Sequence, residues 1–198
     1  MKHLIITVLT ILFAIHSSAQ STGKWKIFPA YGDTQAVDSV APDCIFVLSS
    51  GNIYRVNAKD WSVTTYDKLT GLNDTGIAQI AWNSVARRLV IVYDNSNIDL
   101  MTKDGDVTNV PDLYHKSTTL DKSINGIDVF AQYAYISTAF GIVKLDVRNS
   151  LISDSYILNK SILQTSIKDG SIYAKAKNGS IMKASLSSNL VDRTQWAE

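Results

Sequence analysis

The stretch "AYISTAFGIVKLDVRN", Ala134–Asn149, holds two short apolar runs either side of Phe140-Gly141 and ends at a polar turn, Arg148-Asn149. Read alone it is a β-hairpin, since runs rich in Ile, Val and Tyr favour strands and Gly and Asn favour the turns between them. It is not alone. "IFVLSSGNIYRVNAKDWSVTTYD" (Ile45–Asp67), "LVIVYDNSNIDLMTKDGDVTNVPD" (Leu89–Asp112) and "IYAKAKNGSIMKASLSSNLVDRTQ" (Ile172–Gln195) follow the same order of run, turn, run, turn, run. Ile53, Ile98, Ile142 and Ile181 hold the same place after the first turn, 45, 44 and 39 residues apart.

The segments ahead of each copy also match. "AVDSVA" (Ala36–Ala41), "IAQIAW" (Ile77–Trp82), "INGIDVF" (Ile124–Phe130) and "ILQTSI" (Ile162–Ile167) each add a fourth run. Pro29, Pro42 and Pro111 fall at run ends, where a missing N–H is tolerated. No helical period stands out after residue 20. Four-stranded antiparallel units recurring at this length are the signature of β-propeller blades. A single sandwich would not need the same turn chemistry at matched places in every unit. The expectation is an all-β fold: a β-propeller of four-stranded antiparallel blades at about 36–70, 77–113, 124–158 and 162–196. Within the fourth, Leu190–Trp196 is the expected outer strand. "KWKIFPAY" (24–31) is left without partners and reads as an orphan closing strand. Its natural partner would be a later blade, so about four blades are present as part of a larger ring. A ring of these four alone is the alternative.

The N-terminus reads differently. A basic start, an apolar run over Leu4–Ile15 and small residues to Ala19 give the layout of a signal peptide over residues 1–19, with residues 20–198 as the propeller domain. The run is shorter than the ~20 residues a spanning helix needs, so the exported chain is expected not to span a membrane. The formal net charge is +1, and Lys2 belongs to the leader. No basic stripe remains, which argues against nucleic-acid binding through phosphate neutralisation. The lone Cys44 excludes an internal disulfide framework and reads as a buried structural thiol at a strand start.

No set of residues converges on catalysis. His115 is the one histidine outside the leader, and no nucleophile-elbow motif accompanies it. Asp121-Lys-Ser-Ile-Asn-Gly126 opens like a calcium loop, but Gln132 stands where such a loop places a bidentate Glu. Ile124, Ile127 and Val129 make the same segment an inner strand. The expectation is no enzyme activity, no metal and no cofactor. The aromatic residues read as packing between blades, with Trp61 and Trp82 as open suspects for surface contact.

The runs "WKIFPAY", "YDKLTGLND", "VIVYDNSNIDL", "DKSINGIDV" and "AYISTAFGIVKLD" together resemble the N-terminal β-propeller of PorZ-type proteins, components of the type IX secretion system of Bacteroidota-like bacteria. The resemblance is carried from Trp25 to about Asn159. It implies an exported protein of the periplasm or cell surface of a Gram-negative-type bacterium, with further blades. It also implies a non-catalytic binding and scaffold role in protein secretion. Related propellers form the sensor regions of two-component hybrid kinases, which is the alternative role. A propeller-fold carbohydrate-active enzyme is weaker still.

Strand direction alternates within a blade, so the turn between the second and third strands and the linker between blades share one face. Long loops on a rigid scaffold are where recognition lives. The longest linker is Pro111–Ser123. Tyr114, His115, Lys116 and, from the neighbouring turn, Phe140 are the candidate contacts for a protein or glycan partner.

Overall fold

The computed structural model describes residues 27–40 and 42–198. The leader reading falls outside the described residues, as does the beginning of segment 24–31. From Ile27 to Tyr31 the backbone forms no strand. It lies against the first sheet, with Tyr31 edge-on to Tyr54 at 4.9 Å between ring centres.

Four antiparallel sheets follow one another along the chain. The first is β1 (Thr34–Val40), β2 (Cys44–Ser49), β3 (Asn52–Asn57) and β4 (Val63–Tyr66). The second is β5 (Ile77–Asn83), β6 (Arg88–Tyr93), β7 (Ile98–Thr102) and β8 (Val107–Asn109). The third is β9 (Ile124–Phe130), β10 (Tyr133–Thr138), β11 (Gly141–Asp146) and β12 (Leu151–Ile157). The fourth is β13 (Ile162–Lys168), β14 (Ser171–Ala176) and β15 (Ile181–Ser185). Each sheet pairs its strands in chain order, and the first strands β1, β5, β9 and β13 contact one another in succession. This is a run of propeller blades with their inner strands together. Among the described residues no barrel closes, as fits part of a larger ring.

Two repeated details show that the units share a backbone and not only a composition. Each inner strand shifts register near its start: at Thr34/Ala36, Ile77/Gln79, opposite Ser137/Thr138, and at Ile162/Gln164. A bulge bends and twists a strand locally, and here it recurs at the same place four times. The turn between the second and third strands is tied back in each unit as well. The N–H groups of Ser50, Asp94, Ala139 and Lys177 donate to the carbonyls of Asp33, Gly76, Ser123 and Ser161, at 2.8–3.0 Å. In the third unit this turn needs Gly141. Its φ is +151°, and a Cβ there would sit 2.0 Å from the Tyr156 carbonyl oxygen.

The sheets stack through three apolar layers. Phe46, Leu48, Ile53, Leu89 and Ile91 fill the first. Val90, Val92, Ile98, Ile136 and Val143 fill the second, and Ile142, Tyr156, Ile172 and Met182 the third. Strand β6 is therefore buried on both faces, with Leu89 to Tyr93 all at 0% exposure. Full burial of such a side chain contributes about 1.5–3 kcal/mol. Polar groups also staple neighbouring blades. Asp38 of β1 accepts from the Trp82 N–H of β5 at 2.6 Å, Asn83 donates to the Tyr133 carbonyl at 3.2 Å, and Asn125 to the Ile162 carbonyl at 2.7 Å.

The expected outer strand Leu190–Trp196 is a correction. The segment is a turn and a 3₁₀ turn at Arg193–Gln195, joined to the sheet by one bridge, Lys183 to Ala197. Its own chemistry explains this. Asp192 Oδ1 accepts from Thr194 N and Oγ1, which caps a turn. Trp196 is buried, and its indole N–H donates to the Leu190 carbonyl at 3.0 Å, which folds the segment on itself. A helical turn, α1 (Asp112–His115), also appears where no helix was expected. Four residues are too few to show a helical period.

Candidate functional site

The array has two ends. The linker face carries the connections between sheets and the β2–β3-type turns. The hairpin face carries the β1–β2-type and β3–β4-type turns.

On the linker face, Pro111 leads into α1, and buried Leu113 pins it to the core at 1% exposure. Lys122 then closes the loop. Its ammonium donates to the carbonyls of Leu113, Tyr114 and Lys116 at 3.0, 2.9 and 3.2 Å. The orphan carbonyls at a helix end are thereby satisfied by a cation, the charge that such an end favours. Tyr114, His115 and Lys116 point to solvent as a fixed group, with the Tyr114 and His115 rings 5.0 Å apart. Ser96 Oγ binds the Lys122 carbonyl at 2.8 Å and Ala139 N the Ser123 carbonyl at 3.0 Å, so adjacent turns brace the linker. Phe140 does not join the exposed group. It is 5% exposed and packed in the second apolar layer, because the linker folds over its turn.

Beneath this face lies a polar core that sequence reasoning missed. Asp99 on β7 is fully buried. Its carboxylate accepts from Tyr93 Oη (2.6 Å), Asn73 N (2.8 Å), Asn73 Nδ2 (2.9 Å) and Asn109 Nδ2 (2.8 Å). Burial, followed by the bond to Asp99, pushes the Tyr93 phenol far up, so it remains a donor. Nearby Asp74 accepts from Asn95 Nδ2 and lies 3.8 Å from Lys68. Burial works against its charge, but the Asn95 amide, the Thr75 N–H and Lys68 outweigh it and hold the carboxyl below its ordinary value. The oxygen-rich run Asp94–Asn97 is part of this bracing. Asp121 closes its own turn by accepting from Ser123 N and Oγ.

The hairpin face is more open. A groove of about 620 Å³ lies between the first and second sheets, lined in part by Cys44, Arg55, Trp82, Arg87 and Lys103. Cys44 is half-buried and so not the sealed thiol expected; burial raises its pKa, with Arg55 opposing. Trp82 stacks on Phe46 at 6.1 Å, which makes it a packing residue with one edge on the groove. A second groove of about 330 Å³ lies between the third and fourth sheets, beside Tyr133, Tyr135 and Tyr156. There Lys144 stands 4.1 Å above the Tyr133 ring and 3.9 Å from Asp154, and burial pushes the Tyr135 phenol up to about 12. Trp61 is exposed on this face at a turn.

Comparison with known proteins places this geometry. The family model described as "TSS9, PorZ, N-terminal beta-propeller domain" matches residues 45–197. Among solved structures, PorZ of Porphyromonas gingivalis, a bacterial surface component of the type IX secretion system, aligns with a TM-score of 0.80 at 26% identity. That match covers 88% of this chain and 23% of PorZ. The extracellular domain of the putative hybrid two-component system BT4673 from B. thetaiotaomicron aligns at 0.67 with 16% identity, covering 86% of this chain and 24% of that one. The computationally designed Ika4 protein aligns at 0.61 with 11% identity, covering 83% and 99%. The last two likenesses speak to fold alone. No curated protein matches the chain.

Proposed function

We propose, from the premise that this chain belongs to the family of PorZ N-terminal β-propeller domains, that it is a non-catalytic binding and scaffold domain of type IX protein secretion. The observation that carries the reading is the family match together with the 0.80 superposition on PorZ. An extracytoplasmic setting, on either side of the outer membrane, fits both the surface location of PorZ and the extracellular placement of the BT4673 domain. Among the described residues no helix is long and apolar enough to cross a membrane. In this reading residues 1–19 are a leader and segment 24–31 closes the ring against a blade beyond the four described.

The partner surface we assign is the exposed group Tyr114, His115 and Lys116 on its braced linker. Aromatic residues held in fixed positions bind at low entropic cost. The partner is a protein or glycan of the envelope. A sensor role rests on fold likeness alone. Deleting the gene and measuring cargo in the medium separates the two. Secretion predicts retained cargo, whereas a sensor predicts normal export and a lost transcriptional response.

A further inference from the structure

We propose that the groove between the first and second sheets binds a small ligand through a single carboxylate, held by Arg87 and Arg55, on the face opposite the proposed partner surface. The groove, the larger of the two on this face, coincides with a break in the repeat. On the hairpin face the third-strand end is tied to the first turn in the other sheets: Ala58 N to Asp43 O, Val147 N to Gln132 O and Leu186 N to Gly170 O, at 2.8–3.0 Å. The matching pair in the second sheet, Lys103 and Arg87, makes no such bond. The Lys103 carbonyl instead accepts from Arg55 Nη1. The β5–β6 turn, Ser84–Arg87, is also longer than its counterparts at Ala131-Gln132 and Asp169-Gly170. The groove at this end measures about 620 Å³, within the ~300–1,000 Å³ of ligand pockets.

The lining chemistry specifies the ligand. Arg87 is exposed, with no ion pair or side-chain hydrogen bond among the described residues, and its backbone is held at φ 56°. Arg55 uses Nη1 and Nη2 on the Lys103 carbonyl and Thr64 and keeps further donors. Guanidinium groups hold carboxylates through paired, parallel bonds. Asp43, ion-paired with Lys59, and Asp104, 3.6 Å from Lys103, also line the groove. They disfavour a multiply charged phosphate and suit one negative charge flanked by hydroxyl or N–H donors. Behind the lining, against Gly105, Tyr66 is 7% exposed and its hydroxyl has no partner among the described residues. Among the charged groups acting on that hydroxyl are Arg55 and Asp104 of the same groove, and burial keeps it protonated. Trp82, stacked on Phe46, puts an apolar edge on the groove.

Cys44 gives the assay, since it lines the groove and is half-buried. Its alkylation in the full-length protein is followed by peptide mass mapping. The probes are N-acetylglycine and galacturonate, their neutral counterparts N-acetylglycinamide and galactose, and inorganic phosphate. At about 10 mM, a carboxylate with a Kd of about 1 mM slows alkylation about tenfold. Protection by N-acetylglycine alone identifies a peptide source, and by galacturonate alone a sugar acid. Arg87→Glu, with Arg87→Gln as a milder second variant, abolishes the protection. Tyr66→Phe weakens it while leaving the unfolding midpoint unchanged or raised. Absence of protection by both carboxylates overturns the assignment. So does equal protection by the neutral compounds, stronger protection by phosphate, or protection that survives at Arg87→Glu and Arg87→Gln.

Discussion

The two faces of the array are built from the same repeat and finished differently. On the linker face the tying backbone bond is present in all four sheets, and a fully buried carboxylate, Asp99, gathers Tyr93, Asn73 and Asn109 beneath it. On the hairpin face the equivalent bond is missing in one sheet, and cations line the gap. A braced face presents a fixed surface to a large partner, whereas an open one admits something small. In a repeat, the unit that departs from its siblings is where structure has been given up, and such departures gather at functional sites.

The contrast can be broken most severely at Asp99. Replacing it by Ala takes the acceptor from the buried Tyr93 hydroxyl and the bonds from Asn73 and Asn109, and costs about 1–3 kcal/mol by urea unfolding. A loss below about 1 kcal/mol would mean the linker face is not held from beneath. Lys122→Ala removes the donor that closes the 110–123 linker. It costs about 1–2 kcal/mol at most and speeds hydrogen exchange at the His115 and Lys116 amides, while exchange in β6 stays slow. If those amides are unaffected, the presenting group is not fixed by Lys122. A smaller effect sharpens the comparison through pH. Asp74 is held below its ordinary value in the fold, so it adds stability that is present above that value and lost as pH falls through the lowered one. Asp74→Asn should flatten the decline of stability between about pH 5 and pH 3. An unchanged slope would leave Asp74 without a role in bracing.

The sequence disclosed much of this architecture. The four isoleucines in matched places and the Gly and Asn turns pointed to four four-stranded units, and among the described residues fifteen of those sixteen strands form. Local signals sufficed because strand alternation and turn chemistry are set within a few residues. What failed was set by distance. Phe140 reads as a turn residue, and only the fold shows the linker lying over it. Leu190–Trp196 contains strand-forming residues, but Asp192 and Trp196 curl it. Arg55, Arg87 and Lys103 are far apart in the chain and meet across two blades, so no motif could announce the groove. One trace was available. The β5–β6 turn is longer than the β9–β10 and β13–β14 turns, a break in the repeat that alignment of the units can find.

The central claim is that the braced linker presents a partner surface for secretion. Its most direct test replaces Tyr114, His115 and Lys116 together by Ala in the full-length protein and measures type IX cargo in the medium. These side chains are exposed, so surface substitutions there should alter stability by no more than about 0.5 kcal/mol each. The account predicts that the variant accumulates normally while released cargo falls at least severalfold. Normal cargo release at normal protein level would contradict it.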